Sequence, residues 1–243
     1  MYLLVLGANS DTAHALAARF AQEERAHLYL ASRDRELLEK RARDLALRHQ
    51  VEVRPLVFDA TDYASHAAFY AGLDPKPDGV ALAFGYLGDQ QEAQQNFGEA
   101  KKIIDVNFTG AVSILEIVAA DFARRNHGFI IALSSVAGER GRQSNYIYGA
   151  AKGALTTYLS GLRHRLCPHQ VRVMTVLPGF MATKMTEHLK LPGPLTASPE
   201  EAAGHIFRAY KKGRDVVYIK PLWRWIMMLI RNLPEFVFKR TKL

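Results

Sequence analysis

Cysteine is almost absent from this chain, since Cys167 is the one thiol among 243 residues. A lone cysteine cannot form an intrachain disulfide, which excludes a disulfide-stapled secreted scaffold and fits a reducing compartment such as the cytoplasm. We interpret Cys167 as a small apolar residue near a helix end rather than a nucleophile.

Linkers and repeats are absent as well. No stretch rich in proline, glycine or serine divides the chain, and no internal repeat is visible. Hydrophobic residues make up 49% and charged residues 23%, a balance typical of globular proteins that excludes a disordered or fibrous chain. A chain of this length can bury one large core, so we expect one domain.

Acidic residues are fewer than basic ones, and the formal net charge is +8. Such a surplus can attract nucleic acid, anionic lipid or a phosphorylated cofactor. No basic stretch interleaved with aromatic residues resembles a nucleic-acid reading surface, so we expect no nucleic acid among the partners.

Short apolar runs alternate with longer stretches of helical period, the pattern of a parallel sheet covered by helices. It predicts an α/β fold with a single doubly wound, Rossmann-type sheet and helices on both faces, whose ligands bind beyond the carboxyl ends of the strands. The predicted strands are Tyr2–Leu6, His27–Ala31, Val51–Phe58, Gly79–Phe84, Gly128–Ser134, Val171–Leu177 and Val216–Ile219.

The first predicted strand runs into 7-GANSDTAHALAARF-20, a tight turn that enters a helix. Backbone N–H groups and the positive helix end at such a turn can bind a dinucleotide pyrophosphate. Of the glycine-rich pattern only Gly7 remains, because Asp11 and Ala13 occupy the next two positions. A carboxylate at Asp11 repels a pyrophosphate unless it turns away, for example to cap the helix.

The second strand ends at 31-ASRDRELLEK-40, where the adenosine ribose is bound in such folds. An acidic residue there would bond the ribose 2′-hydroxyl, whereas Arg33 offers a fork of donors suited to a 2′-phosphate. Arg35 and Ser10 are candidate helpers, and the pattern favours NADP(H) over NAD. The alternative is that Arg33 is a solvated residue of a charged helix.

Asp59 closes the third strand in 57-VFDATD-62. Its position allows it to accept a hydrogen bond from the adenine amino group. Equally, Asp59 could cap the following helix, a role that Thr61 could also fill.

Tyr148 and Lys152 are four residues apart on a predicted helix, so both side chains project from one face. An ammonium near a phenol lowers the phenol pKa from about 10, which eases proton transfer near neutral pH. Tyr146 has Ala150 at the corresponding position and lacks a cationic partner. Tyr148 is therefore the better candidate acid.

Ser135 lies thirteen residues before Tyr148, and Asn107 lies in a predicted long helix twenty-eight residues before Ser135. With Gly7, Asp59, 105-DVNFTG-110, 134-SSVAG-138 and 178-PGFMAT-183, this order and spacing resemble the classical short-chain dehydrogenase/reductase family over nearly the whole chain. The resemblance implies that Tyr148 is the general acid/base, that Lys152 bonds the nicotinamide ribose and tunes the tyrosine, and that Ser135 orients the substrate oxygen. It also implies that Asn107 supports a water-linked proton relay, and it favours Ser135 over Ser134.

The same resemblance implies a cofactor site, and we expect no metal. Its residues outside the catalytic set are Gly7, Asn9, Ser10, Asp11, Thr12, Arg33, Asp59, Ala60, Phe84, Gly85, Pro178, Gly179 and Thr183. The segment 83-AFGYLGDQ-90 departs from the family's Asn-Ala-Gly motif, although Gly85 keeps the close backbone approach. Together with 7-GANSD-11 it looks most like a bacterial subgroup that includes the keto-sugar reductase of decaprenyl-phosphoryl arabinose synthesis.

The last segment, 221-PLWRWIMMLIRNLPEFVFKRTKL-243, combines aromatic and aliphatic residues with flanking arginines and lysines. Its uncharged run between Arg224 and Arg231 is far shorter than the about 20 residues that span a bilayer. It can instead lie in a membrane interface, or pack on a neighbouring subunit or over the active site. We expect a dinucleotide-binding catalytic domain over 1–220, to which 221–243 belongs as an amphipathic helical tail.

Residues 184–197 are expected to form a mobile flap over the substrate. Met181, Met185, Leu189 and Leu191 suggest an apolar substrate pocket, or else ordinary core.

These patterns together predict an NADPH-dependent oxidoreductase that interconverts a ketone and a secondary alcohol, with an apolar or lipid-linked substrate. The alternative is a catalytically silent NADP-binding regulatory or interaction protein, and an enoyl reductase or an epimerase could share the tyrosine–lysine pair. We expect a cytoplasmic homo-oligomer that is peripheral at the inner face of the membrane if the tail binds lipid.

Overall fold

A seven-stranded parallel sheet forms the centre of the computed structural model, which describes residues 1–184 and 192–241. Its spatial order is β3-β2-β1-β4-β5-β6-β9, and a short parallel pair, β7 with β8, lies apart from it. The strands are β1 (Tyr2–Leu6), β2 (His27–Ser32), β3 (Val53–Val57), β4 (Gly79–Leu82), β5 (Phe129–Leu133), β6 (Arg172–Pro178), β7 (Phe180–Met181), β8 (Thr196–Ala197) and β9 (Val216–Ile219).

Helices cover both faces of the sheet, which confirms the predicted doubly wound α/β fold. They are α1 (Asp11–Glu24), α2 (Arg35–His49), α3 (His66–Ala71), α4 (Gln90–Gln95), α5 (Phe97–Ile104), α6 (Gly110–Arg125), α7 (Tyr146–Leu166), α8 (Pro199–Lys211), α9 (Leu222–Asn232) and α10 (Glu235–Phe238). Short 3₁₀ turns lie at Tyr63–Ser65, Val136–Glu139, Cys167–His169 and Gly193–Leu195.

The continuous apolar run of β1 follows from its burial on both faces. Leu3 and Val5 belong to the core beneath α1, α2 and α8, whereas Leu4 and Leu6 belong to the core beneath α3, α6 and α7. All four side chains are fully buried, and each such burial contributes about 1.5–3 kcal/mol. The sheet is thereby fixed in register, and its carboxyl edge becomes a rigid platform.

Predicted and observed strand bounds agree for β1 and β9 and differ by one or two residues elsewhere. The predicted Val51–Phe58 is shortened to Val53–Val57, which is an edge strand. Pro55 has no N–H to donate and is tolerated there because one side of an edge strand is unpaired. The fourth strand ends at Leu82 rather than Phe84 because its neighbour β1 ends at Leu6, which pairs with Leu82.

One helical stretch, Phe97–Arg125, is long and apolar enough to cross a membrane by length and composition alone. Half of its most apolar window is buried within the protein. Ile114, Leu115 and Val118 are fully buried against the sheet, so core packing accounts for its hydropathy.

The tail helix α9 packs on its own chain. Trp223, Met227 and Ile230 are buried in a small cluster with Val136 and Leu177. This spacing places them on one side of the helix. One of the three alternatives for the tail, packing over the active site, requires such an inward-facing apolar side. The opposite side of α9 is exposed.

Candidate active site

One cavity of about 450 Å³ opens beyond the carboxyl ends of the parallel strands. It begins at the turn after β1 and continues to the loop after β6, and the side of α9 that carries Trp223 closes one wall. The sequence-predicted residues that line it are Gly7, Asn9, Ser10, Asp11, Thr12, Arg33, Asp59, Ala60, Phe84, Gly85, Ser135, Tyr148, Lys152, Pro178, Gly179 and Thr183. Asn107 does not line the cavity, but it hydrogen-bonds Tyr86 in the loop after β4, and the neighbouring Gly85 and Leu87 do line it.

The turn after β1 requires glycine at its first position. Gly7 has φ +85°, and a Cβ there would lie 2.4 Å from the backbone N of Phe84. The N–H groups of Gly7 and Ala8 both donate to the carbonyl of Ala31, at 2.8 and 3.0 Å. The turn is therefore pressed between the ends of β2 and β4, with no room for a side chain.

Asp11 lines the cavity, and it does not cap α1, because that helix has no side-chain cap. Its Oδ1 accepts from Nη2 of Arg41 at 2.8 Å, and its Oδ2 accepts from the N–H of Lys184 at 3.3 Å. Burial would raise the pKa of Asp11, but the donors Arg41 and Lys184 outweigh it and lower the pKa overall.

Arg41 is a structural residue of the site that sequence reasoning missed. It reaches from α2 to donate to the carbonyls of Ser10 at 3.1 Å and Ala8 at 3.4 Å as well as to Asp11. No motif marks it, because its role depends on how α2 is oriented against the turn. Its guanidinium places a positive charge beside the carboxylate of Asp11, which occupies a position of the turn where the pattern has glycine.

Arg33 is exposed at the end of β2, on the cavity wall, close enough to Asp59 to lower the pKa of that carboxyl. Burial raises the Asp59 pKa, but hydrogen bonds from Thr61 and the charge of Arg33 lower it overall. Arg35, the other candidate helper, is paired elsewhere. Its Nε binds Glu39 at 2.8 Å, and it does not line the cavity.

Asp59 accepts from both the N–H and the hydroxyl of Thr61, each at 2.8 Å. This closes a turn rather than capping a helix, since the next 3₁₀ turn begins at Tyr63 after Asp62. Asn9 donates to the carbonyl of Asp34 at 2.9 Å, and its own Oδ1 is buried without a partner among the residues described.

The loop after β4 is held by Asn107. The Nδ2 of Asn107 donates to the carbonyls of Tyr86 at 2.6 Å and Ile103 at 2.8 Å, and its Oδ1 accepts from the N–H of Tyr86 at 3.2 Å. A Cβ on Gly85 would lie 3.0 Å from that Oδ1 and 3.5 Å from Nζ of Lys152. The bare glycine thus leaves a polar space between the amide and the lysine.

Asn107 was expected inside a regular helix, but it lies in a π-helical turn, Asp105–Thr109, between α5 and α6. The extra residue in this turn interrupts the regular hydrogen-bond ladder, as such turns often do at functional sites. Gly110, which follows it, has no room for a Cβ because the carbonyl of Ala60 would be 2.2 Å away.

Ser135 follows β5, Tyr148 and Lys152 lie on α7, and all three line the cavity. Ser135 hydrogen-bonds Tyr148 and accepts from the N–H of Ala137 at 3.1 Å. Lys152 is almost fully buried, and its Nζ donates to the carbonyl of Leu133 at 3.1 Å. The arrangement pairs a phenol and a hydroxyl at the position where one oxygen atom could accept from both.

Ser134, the rival for Ser135, has a different role. Its hydroxyl donates to the carbonyl of Lys152 at 2.9 Å and lies 2.7 Å from the hydroxyl of Thr156. It therefore fastens β5 to α7, while Ser135 contacts Tyr148.

Burial dominates the electrostatics of this pair. It raises the pKa of Tyr148 to about 12, an effect that the hydrogen bond from Ser135 opposes, and it lowers the pKa of Lys152 to about 8. The expected lowering of the Tyr148 pKa by Lys152 is therefore not what this structure shows. The Nζ of Lys152 lies 5.8 Å from the centre of the Tyr148 ring, and both groups are held where charge is unfavourable.

The tail contributes a cavity residue that its sequence did not mark as such. A Cβ on Gly179 would lie 1.9 Å from Nε1 of Trp223, which donates to the carbonyl of Leu195 at 3.0 Å. Phe180 packs edge-on against the same indole. Of the predicted apolar pocket residues, Met181 lines the cavity, whereas Met185, Leu189 and Leu191 lie outside the described residues, as does much of the expected flap over 184–197.

The described part of the chain contains no group of three or more His, Cys, Asp or Glu side chains arranged to hold a metal ion.

Comparison with known proteins identifies the family of this chain. Residues 2–192 match the model of the short chain dehydrogenase family. The chain belongs to this family. An uncharacterized oxidoreductase of Mycobacterium tuberculosis is 36% identical over 241 residues, which covers 98% of this chain and 96% of that protein. This short-chain dehydrogenase is therefore an oxidoreductase, as its family membership implies.

Solved structures show the same fold at lower identity. A short-chain dehydrogenase from Sphingobium yanoikuyae in complex with NADPH is similar with a TM-score of 0.83 at 23% identity, covering 96% of both chains. A short chain dehydrogenase from Burkholderia cenocepacia in complex with NADP gives 0.81 at 22% identity, covering 98% of this chain and 96% of that one.

Proposed function

We propose that this short-chain dehydrogenase is an NADPH-dependent oxidoreductase that interconverts a ketone and a secondary alcohol, with Tyr148 as the general acid/base. The observation that carries the proposal is that Tyr148, hydrogen-bonded to Ser135, lines the same cavity as the buried Lys152, whose Nζ lies 5.8 Å from the centre of the tyrosine ring. A cavity with an acid, an oxygen-binding hydroxyl and a buried lysine suits proton transfer to a carbonyl oxygen.

In the reducing direction, bound NADPH would supply a hydride to the carbonyl carbon. The hydroxyl of Ser135 and the phenol of Tyr148 hold the carbonyl oxygen, and the phenol transfers its proton to that oxygen as the alcohol forms. Lys152 favours the resulting phenolate through its positive charge. Asn107 fixes the loop beside Lys152, where a water-linked relay could return the proton to Tyr148.

The cofactor residues follow the cavity from the turn at Gly7 to the loop at Thr183. NADP(H) is favoured because Arg33 is the basic group at the end of β2, where an acidic residue would suit NAD. The related structures bound to NADPH and NADP support the same choice. Arg41 neutralises Asp11 beside the turn and so removes the repulsion expected for a pyrophosphate.

We assign residues 1–220 to the dinucleotide-binding catalytic unit and treat 221–243 as its tail. The exposed side of α9 suggests where the substrate comes from. Leu222, Trp225 and Leu229 lie on it, the last two with 57% and 66% of their surface exposed. Basic side chains flank this side, so it suits an anionic membrane better than a second copy of this basic chain.

We accordingly propose a cytoplasmic enzyme, peripheral at the inner face of the membrane, that acts on an apolar or lipid-linked ketone. A keto-sugar carried on a polyprenyl phosphate, as in the subgroup that the sequence resembles, is one member of this substrate class. Homo-oligomer formation stays a prediction.

NADPH oxidation measured with a panel of 3-ketoacyl, steroid and polyprenyl-linked keto-sugar substrates, with and without lipid, tests this function. We expect reduction of an apolar or lipid-linked member, faster with NADPH than with NADH. A protein that binds NADPH tightly but turns over none of them would instead be the silent regulatory alternative.

The membrane contact needs a separate test. Because Trp223 forms part of the cavity wall, deletion of the tail would damage the site. Trp225→Ser with Leu229→Ser changes only exposed positions, and Leu47→Ser on α2 is a matched control at an exposed leucine. In sedimentation with phosphatidylglycerol vesicles, the double variant should lose most binding and the control none. Equal binding by all three proteins would contradict the contact.

A further inference from the structure

Arg142 lies in the segment between Ser135 and Tyr148 and lines the cavity that contains them. Its Nη2 lies 3.2 Å from Sδ of Met227, so the guanidinium is on the side of the cavity that α9 covers. Arg33 and Asp59, which mark the adenosine end, lie beyond the ends of β2 and β3. Arg142 thus belongs to the end of the cavity where the substrate would bind.

The guanidinium of Arg142 is short of partners. A thioether sulfur is a weak acceptor, and Nε is buried with no hydrogen-bond partner among the described residues. No carboxylate in the described ranges comes within ion-pair distance of it. A buried donor on a charged group that lacks an acceptor is costly.

Other partly buried arginines of this protein are satisfied. Arg41 binds Asp11 and two carbonyls, and Arg140 binds three carbonyls of the tail and Glu235. Arg163 binds the carbonyls of Val173 and Asp215 and the hydroxyl of Thr175. Each of these holds two segments together, whereas Arg142 faces a cavity.

The charged groups around Arg142 do not neutralise it. Glu139 acts on it through space and raises its pKa, but the two do not form an ion pair. The Oε1 of Glu139 accepts from the hydroxyl of Tyr218 at 2.8 Å and from Arg231 at 3.3 Å, and its Oε2 is buried without a partner among the described residues. Lys152 and Lys184 line the same cavity and are basic. Burial lowers the pKa of Arg142, and the charge of Glu139 opposes this only in part.

We infer that Arg142 binds an oxyanion of the substrate, so that the natural ketone or alcohol carries a carboxylate or a phosphate group. This inference rests on the proposed function of the cavity and narrows its substrate class. A planar fork of N–H donors matches the oxygens of either group. Trp223 and Phe180, which line the cavity beside α9, would contact the apolar remainder of the same molecule.

Binding of simple amphiphiles tests the inference without relying on turnover. Octanoate, octyl phosphate and octanol would be titrated by calorimetry into the full-length, NADPH-loaded protein carrying Tyr148→Phe, alone and combined with Arg142→Met. Arg142→Lys tests rescue by charge. Arg224→Met is the matched control, because Arg224 is exposed and lies outside the cavity. Unchanged NADPH affinity shows that each variant is folded.

Arg142→Met should weaken the favoured anion by at least about tenfold, as loss of a charge-assisted hydrogen bond implies, and leave octanol unchanged. Arg142→Lys should recover part of the affinity, and Arg224→Met should change nothing. Comparison of octanoate with octyl phosphate tells which oxyanion is preferred. Equal weakening of all three ligands, no weakening, or no anion binding by the parent protein would overturn the inference, whatever the outcome for turnover by Tyr148.

Discussion

The two ends of the cavity use charge in opposite ways. At the adenosine end, Arg33 is exposed, and Asp59 and Asp11 keep lowered pKa values because donors surround them. At the catalytic end, Lys152 is buried and Tyr148 is half-buried, and desolvation raises the pKa of Tyr148 and lowers that of Lys152, so each favours its neutral form. An exposed charged side chain can bind a ligand without a desolvation cost to itself. A buried group that favours its neutral form can instead gain or lose a proton during the reaction.

This contrast predicts that substitutions at the catalytic end change turnover strongly, while those at the adenosine end change cofactor affinity and leave turnover intact.

Apart from substitution of Tyr148 itself, Lys152→Met should have the largest effect at the two ends of the cavity. Loss of the cation that favours the phenolate should reduce kcat by at least about 100-fold, the scale of general acid–base catalysis. The same change should raise the melting temperature of the cofactor-free protein, because a buried ammonium is unfavourable. Turnover assays and calorimetry measure the two effects, and a variant that loses both activity and stability would contradict the burial argument.

The stability gain has a defined pH dependence. Because the pKa of Lys152 is about 8 in the folded protein, below its unfolded value, its penalty is full at lower pH and fades as the pH rises from about 8 to about 10. At about pH 7 the shift corresponds to at most about 3 kcal/mol. The advantage of Lys152→Met over the natural protein should shrink across that window.

Arg33→Ala should raise the KM for NADPH by about 30-fold, with kcat and the KM for NADH nearly unchanged, because a charge-assisted contact to the 2′-phosphate is lost. Arg35→Ala is the matched control, since Arg35 is paired with Glu39 outside the cavity. Similar KM values for the two variants would show that Arg33 does not read the 2′-phosphate.

The reduction rate should fall as the pH rises through about 8. Lys152 then loses its charge while Tyr148, with a pKa of about 12, remains protonated. Between about pH 7 and about pH 9, kcat/KM for the ketone should drop about tenfold. A rate that stays level throughout this range would show that the charge of Lys152 is not needed.

Arg41→Met should weaken NADPH binding by about fivefold, the smallest effect, because Asp11 is left unpaired beside the pyrophosphate turn. Adding Asp11→Asn should restore most of the affinity, because the repulsive carboxylate is then gone. A double variant as weak as Arg41→Met would mean that the contacts of Arg41 to the turn carbonyls matter instead.

The sequence predicted the fold because β1 and its neighbours are apolar on both faces and because apolar residues recur at helical spacing between the strands. It also predicted the residues around Tyr148, since their spacing along the chain carries the pattern. Arg41 and Trp223 were missed as site residues because their roles come from how α2 and α9 pack, which no local pattern records. The π-helical turn at Asn107 was missed for the same reason.

The most direct test of the central claim compares Tyr148→Phe with Tyr146→Phe. Tyr146 lies on the same helix and is 42% exposed, and no lysine follows it at four residues. Tyr148→Phe should lower kcat by at least about 1,000-fold while NADPH affinity stays within about twofold, and Tyr146→Phe should resemble the natural protein. Turnover that survives in Tyr148→Phe would contradict the proposed acid–base role.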